Sequence, residues 1–386
     1  MIPTIVGWQE AGIEIMIQSM GDTCTTILHP GRRIRIAMRA MRLVKTRTFE
    51  VFDDPQPMPG EGEALLRVQA IGICGSDIHS VTHMKIGSIV LDKPFVLGHE
   101  FSAIVDQVGE GVDPAWVGKL VAVDPCISCE QCEQCIEGNP NLCGNTLFTG
   151  TFPYEGAMRD YIVHPASLLN ELPEGFSTSD GAMLEPAGIA LHSVNIGHVH
   201  AGDSVAVFGC GPIGLLTIQI ARAAGASEII AIEPLEYRRE WARKLGVDAV
   251  LDSDGNQIEA VLERTRGRGV DVAFEAAGQV EPVSDAVEVA RPGGRVVVIG
   301  IPSENKVTFR EATARTKGLS VYFVRRMKHT YERTIAMVQS GQLDIRSLVT
   351  HHFAFEDAAE GYEMVEHRSD GLIKAMIHVD PASMPE

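Results

Sequence analysis

Apolar and polar positions divide most of the chain into two stretches with different periods. From about residue 41 to 185, short β-branched runs such as EALLRVQAIGICG, FSAIVDQVGEGV and KLVAVDP alternate with Gly and Pro. This pattern predicts a β-rich domain. After Asp203, the strand-like runs SVAVFG, EIIAIE, DAVLD, GVDVAFEAAG and GRVVVIGIP are separated by helical segments. Strands that alternate with helices of about 10 to 15 residues indicate βαβ units. We therefore predict an α/β protein with a doubly wound parallel sheet in its second domain.

Both ends of the chain depart from these two patterns. Residues 1–37 show no sustained period, and we interpret them as an N-terminal extension outside the site or as a segment ahead of a start at Met38 or Met41. The stretch MRLVKTRTFEVFDDP is typical of a first hairpin. About 60 residues at the C-terminal end return to a mixed pattern, with a helix predicted around YERTIAMVQSG.

Composition and charge exclude several classes of partner. A chain of 386 residues is long enough for two domains. Its formal net charge of −18 argues against nucleic acid or an anionic membrane surface, because both bind electropositive surfaces. No apolar run approaches the roughly 18 to 20 residues that span a bilayer. The first 20 residues contain Glu10 and Glu14 and are not typical of a signal peptide. We expect a cytoplasmic protein that binds a small molecule.

Five of the eight cysteines lie in the stretch CISCEQCEQCIEGNPNLC at residues 126–143. Disulfides rarely persist in the cytoplasm, so this density predicts a metal site. Cys129, Cys132, Cys135 and Cys143 have the spacing C-x2-C-x2-C-x7-C, with which one loop can present four thiolates tetrahedrally. Cys126 has the same spacing to Cys129 and remains an alternative ligand. A closed four-thiolate site is structural, so the chemistry is predicted elsewhere.

A glycine motif opens the second domain. Gly209-Cys210-Gly211-Pro212-Ile213-Gly214 follows a buried strand and begins a helix, which predicts a dinucleotide site with the pyrophosphate at the helix N-terminus. Glu233 follows the next strand about 20 residues on, where a carboxylate accepts hydrogen bonds from the adenosine ribose. This favours NAD over NADP. Arg238 and Arg239 favour NADP, because an arginine at this place accommodates a 2′-phosphate.

Three further stretches contain residues that bind metal or move protons. They are GICGSDIH at 72–79, VLGHEFSAIV at 96–105 and GAMLEPAGIALHSV at 181–194. Together with the four-cysteine loop and the GxGPxG motif, and in this order, they resemble the zinc-dependent medium-chain dehydrogenase superfamily, most closely its sorbitol and threonine dehydrogenase branch. The resemblance covers the chain from about Met38 to the C-terminus. It implies a GroES-like catalytic domain over 38–188 and 323–386, a Rossmann domain over 189–322, and an active site in the cleft between them.

The resemblance also implies residue roles. Cys74 and His99 match ligands of a catalytic zinc, which makes two zinc ions per chain with the structural one. Glu100 and Glu185 match two acids that bind this zinc directly or hold its water. Asp77 is interpreted as a local hydrogen-bonding residue and not as a ligand.

The implied reaction is hydride transfer between an alcohol carbon and nicotinamide C4, with ketone reduction as its reverse. Ser76 and His79 match the family's proton relay, in which the alcohol proton passes to solvent. Glu185 or Glu100 is an alternative proton carrier, so the general base stays open between these residues.

Substrate choice is left open by the sequence. In the stretch VRRMKHTY, Arg326 matches an arginine that sugar-alcohol enzymes place near the substrate, but Met327 replaces the expected aromatic residue and His329 a common asparagine. The leading hypothesis is an oxidoreductase for a polyol or sugar-derived secondary alcohol. A sugar-acid (hexonate) dehydrogenase, an L-threonine 3-dehydrogenase and a non-catalytic nucleotide-binding protein are the alternatives. The resemblance further implies a homo-oligomer, dimer or tetramer, with GRVVVIGIP as the strand that pairs across subunits.

Overall fold

The structure is a computed structural model that describes residues 37–304 and 306–385, together with the backbone of four short strands nearer the N-terminus. Apart from those strands, the predicted extension up to residue 36 lies outside the described residues. The strands are β1 Gln9–Glu10, β2 Ile13–Glu14, β3 Thr26–His29, β4 Arg32–Arg35, β5 Ala37–Lys45, β6 Thr48–Pro55, β7 Glu63–Gly72, β8 Lys85–Ile86, β9 Ile89–Val90, β10 Glu100–Val108, β11 Leu120–Val123, β12 Cys126–Ile127, β13 Leu147–Phe148, β14 Tyr161–Pro165, β15 Leu169–Glu171, β16 Ser204–Phe208, β17 Glu228–Ile232, β18 Ala249–Leu251, β19 Val270–Glu275, β20 Ala290–Val298, β21 Ser320–Phe323, β22 Val349–Ala354 and β23 Lys374–His378.

Ten α-helices lie within the described residues: α1 Gly75–His83, α2 Glu133–Ile136, α3 Thr178–Ile196, α4 Pro212–Ala223, α5 Glu236–Lys244, α6 Gln257–Arg264, α7 Val280–Val289, α8 Glu311–Lys317, α9 Tyr331–Gln339 and α10 Ala358–His367. Short 3-10 turns occur at Pro114–Trp116, Pro140–Leu142, Ala166–Leu168, Phe355–Asp357 and Pro381–Ser383.

The largest sheet of the β-rich part of the chain is built around β7, and the pairs β5-β6, β8-β9 and β12-β13 form small sheets of their own. The strand order of the largest sheet is β15-β11-β10-β7-β23-β22, and β14 pairs with the first half of β7. Strand β7 has neighbours on both edges, which explains why nearly all of its ten residues are buried. Strands β22 and β23 come from the last part of the chain, so the C-terminal segment returns to this sheet. Two distant parts of the sequence therefore meet at the end of β7.

The second part forms a six-stranded parallel sheet with the order β18-β17-β16-β19-β20-β21. Strands β16 and β19 are buried along their whole length, as expected for a parallel sheet that helices cover on both faces. This order is that of a doubly wound dinucleotide-binding sheet. The fold class predicted from the sequence is confirmed.

Helix α3 joins the two sheets. Ser177 is its N-cap residue, and the Ser177 hydroxyl accepts a hydrogen bond from the Asp180 backbone N–H. In return, the Asp180 carboxylate accepts a hydrogen bond from the Ser177 backbone N–H. The helix continues through Pro186. One hydrophobic cluster contains α3 residues, β16 residues and residues of the antiparallel sheet such as Ala70. The predicted boundary at 188/189 falls inside this unbroken helix.

The stretch GRVVVIGIP, which was expected to pair across subunits, lies inside the parallel sheet and not at its edge. Strand β20, which contains most of GRVVVIGIP, has β19 on one edge and β21 on the other, so its hydrogen-bonding groups are already used. The assignment of β20 to subunit pairing is therefore wrong, and β21 is the edge strand of the described sheet. In the described part of the chain, no helix combines the length and apolar character needed to cross a membrane.

Candidate active site

The four predicted thiol ligands of the cysteine loop converge. The sulfur atoms of Cys129, Cys132, Cys135 and Cys143 lie within 4.8 Å of one another. The β12–β13 hairpin holds both ends of the loop, and backbone N–H groups of Cys129 and Asn145 donate to Cys143 Sγ. The first of these bonds holds the pKa of the Cys143 thiol down at about 6, which favours the thiolate that binds metal. Four sulfur donors in this arrangement fit a structural zinc ion.

Cys126 is not part of this sulfur cluster. Its buried thiol accepts a hydrogen bond from Arg326 Nη1 at 3.8 Å instead. Cys126 is also the first residue of β12, where the strand pairs it with Phe148. Its side chain therefore faces the same region as Arg326.

A second group of ligand atoms lies where β7 and β10 meet. Cys74 is the N-cap residue of α1, directly after β7, and His99 and Glu100 stand at the start of β10. The antiparallel register places Glu100 opposite Gly72, close to Cys74. The Sγ, imidazole and carboxylate ligand atoms of these residues lie within 4.8 Å of one another, and His99 and Glu100 are buried. One thiolate, one imidazole and one carboxylate are a donor set that fits zinc with a position left open.

Asp77 orients this second group. Its Oδ1 atom lies 3.4 Å from His99 Nδ1, and its Oδ2 atom accepts a hydrogen bond from the Cys74 backbone N–H at 3.2 Å. A carboxylate bound to one ring nitrogen fixes the orientation of a histidine and leaves the other nitrogen for a metal. This geometry agrees with the predicted hydrogen-bonding role of Asp77.

Lys374 is a functional candidate that the sequence reasoning missed. Its ammonium group donates to a Glu100 carboxylate oxygen and, at 2.9 Å, to the Ile73 carbonyl, and both charged residues are at most 2% exposed. Burial alone would lower the pKa of Lys374, but the charge and hydrogen bond of Glu100, together with the charges of Cys74 and Glu185, outweigh it and raise the pKa. A Cβ at Gly72 would lie 2.3 Å from Glu100 Oε2 and 2.9 Å from Lys374 Cε, so the ion pair fits only because residue 72 is glycine.

Two more carboxyl groups lie near these charges. Burial raises the pKa of Glu185 in α3 to about 8, while His99 lowers it and Glu100 raises it further. Glu185 is not among the described side chains whose ligand atoms form the 4.8 Å group. Burial raises the pKa of Asp124 to about 6, although a hydrogen bond from the Cys126 backbone N–H and the charge of Arg326 both lower it. Asp124 was also missed, because one aspartate before a proline is an ordinary turn signal.

The structure places the two predicted relay residues on α1. Ser76 is half-buried, and no other described side chain or carbonyl accepts or donates a hydrogen bond at its hydroxyl. His79 lies one turn further on, with Nε2 at 3.2 Å from the Ile301 carbonyl oxygen in the loop after β20. His79 therefore bridges the two sheet systems, and no hydrogen bond joins it to Ser76 among the described residues.

The glycine motif forms a close turn between β16 and α4. A Cβ at Gly214 would lie 1.8 Å from the Gly209 carbonyl oxygen, so only glycine allows this helix to approach the strand. Glu233, at the end of β17, accepts hydrogen bonds from the backbone N–H groups of Cys210 at 2.8 Å and Leu235 at 3.1 Å. Gly211 is the N-cap residue of α4, and Pro212 and Ile213 open the helix.

Arg238 lies beside this glycine turn. One of its Nη atoms would be 3.7 Å from a Cβ at Gly211, and its Nε donates to the Tyr237 hydroxyl at 3.1 Å. Arg239 points elsewhere, because its guanidinium forms ion pairs with Glu236 and Asp252. Of the two predicted arginines, only Arg238 lies next to the motif.

Arg326 is held over an aromatic ring near the second metal group. Its guanidinium carbon is 4.5 Å from the centre of the Phe148 ring, and that ring is 5.5 Å from the His99 ring. Burial lowers the pKa of Arg326. The Phe148 ring is therefore a neighbour of both the Arg326 guanidinium and the ring of His99, a candidate zinc ligand.

Family models match both parts of the chain. An alcohol dehydrogenase GroES-like domain matches residues 60–174, and a zinc-binding dehydrogenase domain matches residues 212–340. The first match contains the two metal clusters, and the second begins at Pro212, inside the glycine motif. Together the fold and the ligand clusters define a zinc-dependent dehydrogenase that uses a nicotinamide cofactor.

Curated relatives extend over most of the chain. Sorbitol dehydrogenase of Bacillus subtilis (strain 168) is 33% identical, over 88% of this chain and 97% of the relative. D-xylulose reductase A of Aspergillus oryzae is 37% identical, over 82% of this chain and 90% of the relative. L-idonate 5-dehydrogenase of Vitis vinifera is 32% identical, over 87% of this chain and 93% of the relative. The chain belongs to the zinc-dependent medium-chain dehydrogenase superfamily, in its polyol dehydrogenase branch.

Solved structures agree with this assignment. An alcohol dehydrogenase from E. coli CFT073 complexed with NADH has a TM-score of 0.83 at 28% identity, covering 89% of this chain and 99% of the other. A zinc-binding dehydrogenase from Sinorhizobium meliloti 1021 bound to NADP has a TM-score of 0.80 at 31% identity, with the same coverage of 89% and 99%. Structures of this fold thus carry either nicotinamide cofactor.

Proposed function

We propose that this protein is a zinc- and NAD-dependent polyol dehydrogenase that oxidises a secondary CH–OH group to a ketone. The observation that carries the proposal is the group of Cys74, His99 and Glu100, in which His99 and Glu100 are buried and whose three ligand types leave a coordination position for a substrate oxygen. The sorbitol dehydrogenase and D-xylulose reductase relatives support a polyol as the substrate class.

The chain's own residues divide the remaining work. A zinc ion at this group would supply Lewis acidity, which lowers the pKa of an alcohol. Asp77 orients His99, and Lys374 keeps a positive charge against Glu100. Burial raises the pKa of Glu185 to about 8, so it holds a proton at neutral pH, and we propose that it gives this proton to the ketone oxygen in the reverse reaction, whereas in alcohol oxidation the proton leaves through Ser76 and His79.

We propose two zinc ions per chain, one in each ligand group, and a relay from Ser76 to His79 toward solvent. The catalytic unit is proposed to span 38–188 and 323–386, and the nucleotide unit 189–322. We also propose that the protein is cytoplasmic, because four thiol ligands require a reducing compartment. We propose a homo-oligomer as well, because β21 is an edge strand on which Phe323 is 60% exposed.

Metal content and substrate range test the function together. We expect two zinc ions per chain and NADH formation with a member of a panel of pentitols, hexitols and vicinal diols. Aldonates and L-threonine belong in the same panel, because L-idonate 5-dehydrogenase is among the relatives and Arg326 is a cation that a carboxylate can bind. Turnover of L-threonine or an aldonate alone would replace the polyol assignment. One zinc ion and no turnover would favour a non-catalytic nucleotide-binding protein.

Coenzyme preference is predicted from Glu233. Each of its oxygens accepts one backbone N–H and keeps a lone pair for a ribose hydroxyl, whereas a 2′-phosphate would meet a negative charge. We expect kcat/KM to be about 100-fold higher with NAD than with NADP, which corresponds to about 2.7 kcal/mol.

The variant Glu233→Gln tests, in the same assay, whether the negative charge of Glu233 causes the preference for NAD. It removes the charge at nearly constant size and should reduce the NAD preference to below about tenfold. The absolute rates should fall with both coenzymes, because the glycine turn loses an acceptor. Equal use of NAD and NADP by the unmodified enzyme would contradict the assignment and would point to Arg238 as a phosphate ligand.

A further inference from the structure

The segment of residues 325–328, between β21 and α9, has an unusual backbone. Arg326 has φ 57° and His329, just beyond the segment, has φ 48°, both in the left-handed region that residues other than glycine rarely adopt. Such conformations persist only where surrounding contacts hold them. The contacts to this segment therefore determine where the Arg326 side chain lies.

Two of these contacts come from the four-cysteine loop. Asn141 Nδ2 donates to the Arg325 carbonyl oxygen at 3.0 Å, and Lys328 Nζ donates to Asn139 Oδ1 at 2.6 Å. Both asparagines lie between the last two thiol ligands, Cys135 and Cys143. Asn141 is only 4% exposed, so its bond forms in a buried contact and not on a solvated surface. The two hydrogen bonds flank Arg326 on both sides along the chain.

The loop also provides the surface on which Arg326 rests. The guanidinium lies against Phe148 in β13 and against the Cys126 thiol in β12, the hairpin that closes the loop. Within 37–304 and 306–385, Arg326 forms no ion pair with a carboxylate. The loop therefore contacts both the backbone beside Arg326 and the Arg326 side chain.

We propose that the four-cysteine metal loop positions Arg326 for substrate through Asn139 and Asn141, so that the metal in this loop sets substrate affinity as well as stability. The inference rests on the proposed function and takes Arg326, whose aromatic neighbour Phe148 also packs near His99, as a contact of the polyol. Between the β12–β13 hairpin strands, the loop contains only the four-residue α2 and a 3-10 turn. A loop with so little secondary structure depends on its metal for order, and that order reaches Arg326 through the two asparagines.

Asparagine variants of the zinc-loaded enzyme test the proposal. Asn139→Ala and Asn141→Leu should each raise the KM for the polyol by about 3- to 10-fold, as expected for loss of one hydrogen bond, while kcat changes less than about twofold. Both variants should keep two zinc ions per chain. Amide hydrogen exchange in residues 325–329 should become faster in both, which is a readout independent of turnover. Gln131→Ala is the matched control, because Gln131 is an exposed residue of the same loop, and it should change neither KM nor exchange.

A double-variant cycle separates positioning from general damage. If the asparagines act through Arg326, then Asn141→Leu should not raise KM further in an Arg326→Met enzyme. Cys135→Ser should lose one zinc ion and raise KM at least as much as either asparagine variant. An equal KM increase with and without Arg326 would overturn the proposal, and so would an unchanged KM in the asparagine variants or in Arg326→Met. Absence of polyol turnover in the unmodified enzyme would instead overturn the proposed function.

Discussion

Replacement of Cys74 by serine should remove one of two zinc ions and lower kcat/KM by at least about 10³-fold. The thiolate is one of only three ligand atoms in its group, whereas the four-sulfur loop does not involve it. A hydroxyl in its place is a poor ligand for a borderline-soft ion. Metal analysis of the purified variant and initial rates with the best polyol of the panel measure the two effects separately.

Cys126→Ser is the matched control for this variant. Cys126 is a buried cysteine near the candidate active site, whereas Cys74 is partly buried, and the Cys126 sulfur lies outside both ligand groups. We expect it to keep two zinc ions and to lose less than about tenfold in kcat/KM, because only its weak contact with Arg326 changes. If Cys74→Ser kept both metals and its turnover, the catalytic assignment of the β7–β10 cluster would be wrong.

Motifs read from the sequence found the residues that lie close together along the chain. The four cysteines of the loop are separated by few residues, so spacing and residue type indicate their role, whereas the roles of Cys74, His99 and Glu100 were implied by the resemblance to the dehydrogenase superfamily. The alternation of strands and helices after Asp203 likewise predicted the parallel sheet that the structure shows. Local pattern is sufficient wherever the chemistry is local.

Contacts between distant segments could not be predicted in this way. Lys374 is separated from Glu100 by 274 residues, and Asn141 from Arg325 by 184. The position of β20 inside the sheet follows from the strand order, which the composition of one strand does not reveal. One signal was available for Lys374: it is the only charged residue in the apolar run GLIKAMI, and a charge in a buried strand needs a partner.

The ion pair between Lys374 and Glu100 connects the fold to the candidate metal group. Strand β23 returns from the C-terminal end of the chain to the edge of β7, and it brings Lys374 over the glycine that faces Glu100. The cation thereby holds one carboxylate oxygen of a candidate zinc ligand. The C-terminal segment thus contributes a side chain to the candidate active site and is not only a cover for the sheet.

Lys374→Met should therefore destabilise the zinc-free protein strongly, by about 3 to 5 kcal/mol, because in the absence of metal it leaves the buried Glu100 carboxylate without a countercharge. In thermal unfolding this corresponds to a midpoint roughly 4 to 6 °C lower. Lys119→Met is the matched control, since Lys119 pairs with Glu171 at 2.6 Å on the surface, where such pairs contribute at most about 1 kcal/mol.

The double variant Lys374→Met/Glu100→Gln distinguishes loss of the countercharge from loss of packing. Without the carboxylate, no buried charge is left unpaired, and we expect most of the lost thermal stability to return. Zinc content should not return with it, because Glu100→Gln weakens the ligand group that Lys374 orients. A double variant as unstable as Lys374→Met, or a single variant as stable as Lys119→Met, would show that Lys374 acts through its packed side chain and not through its charge.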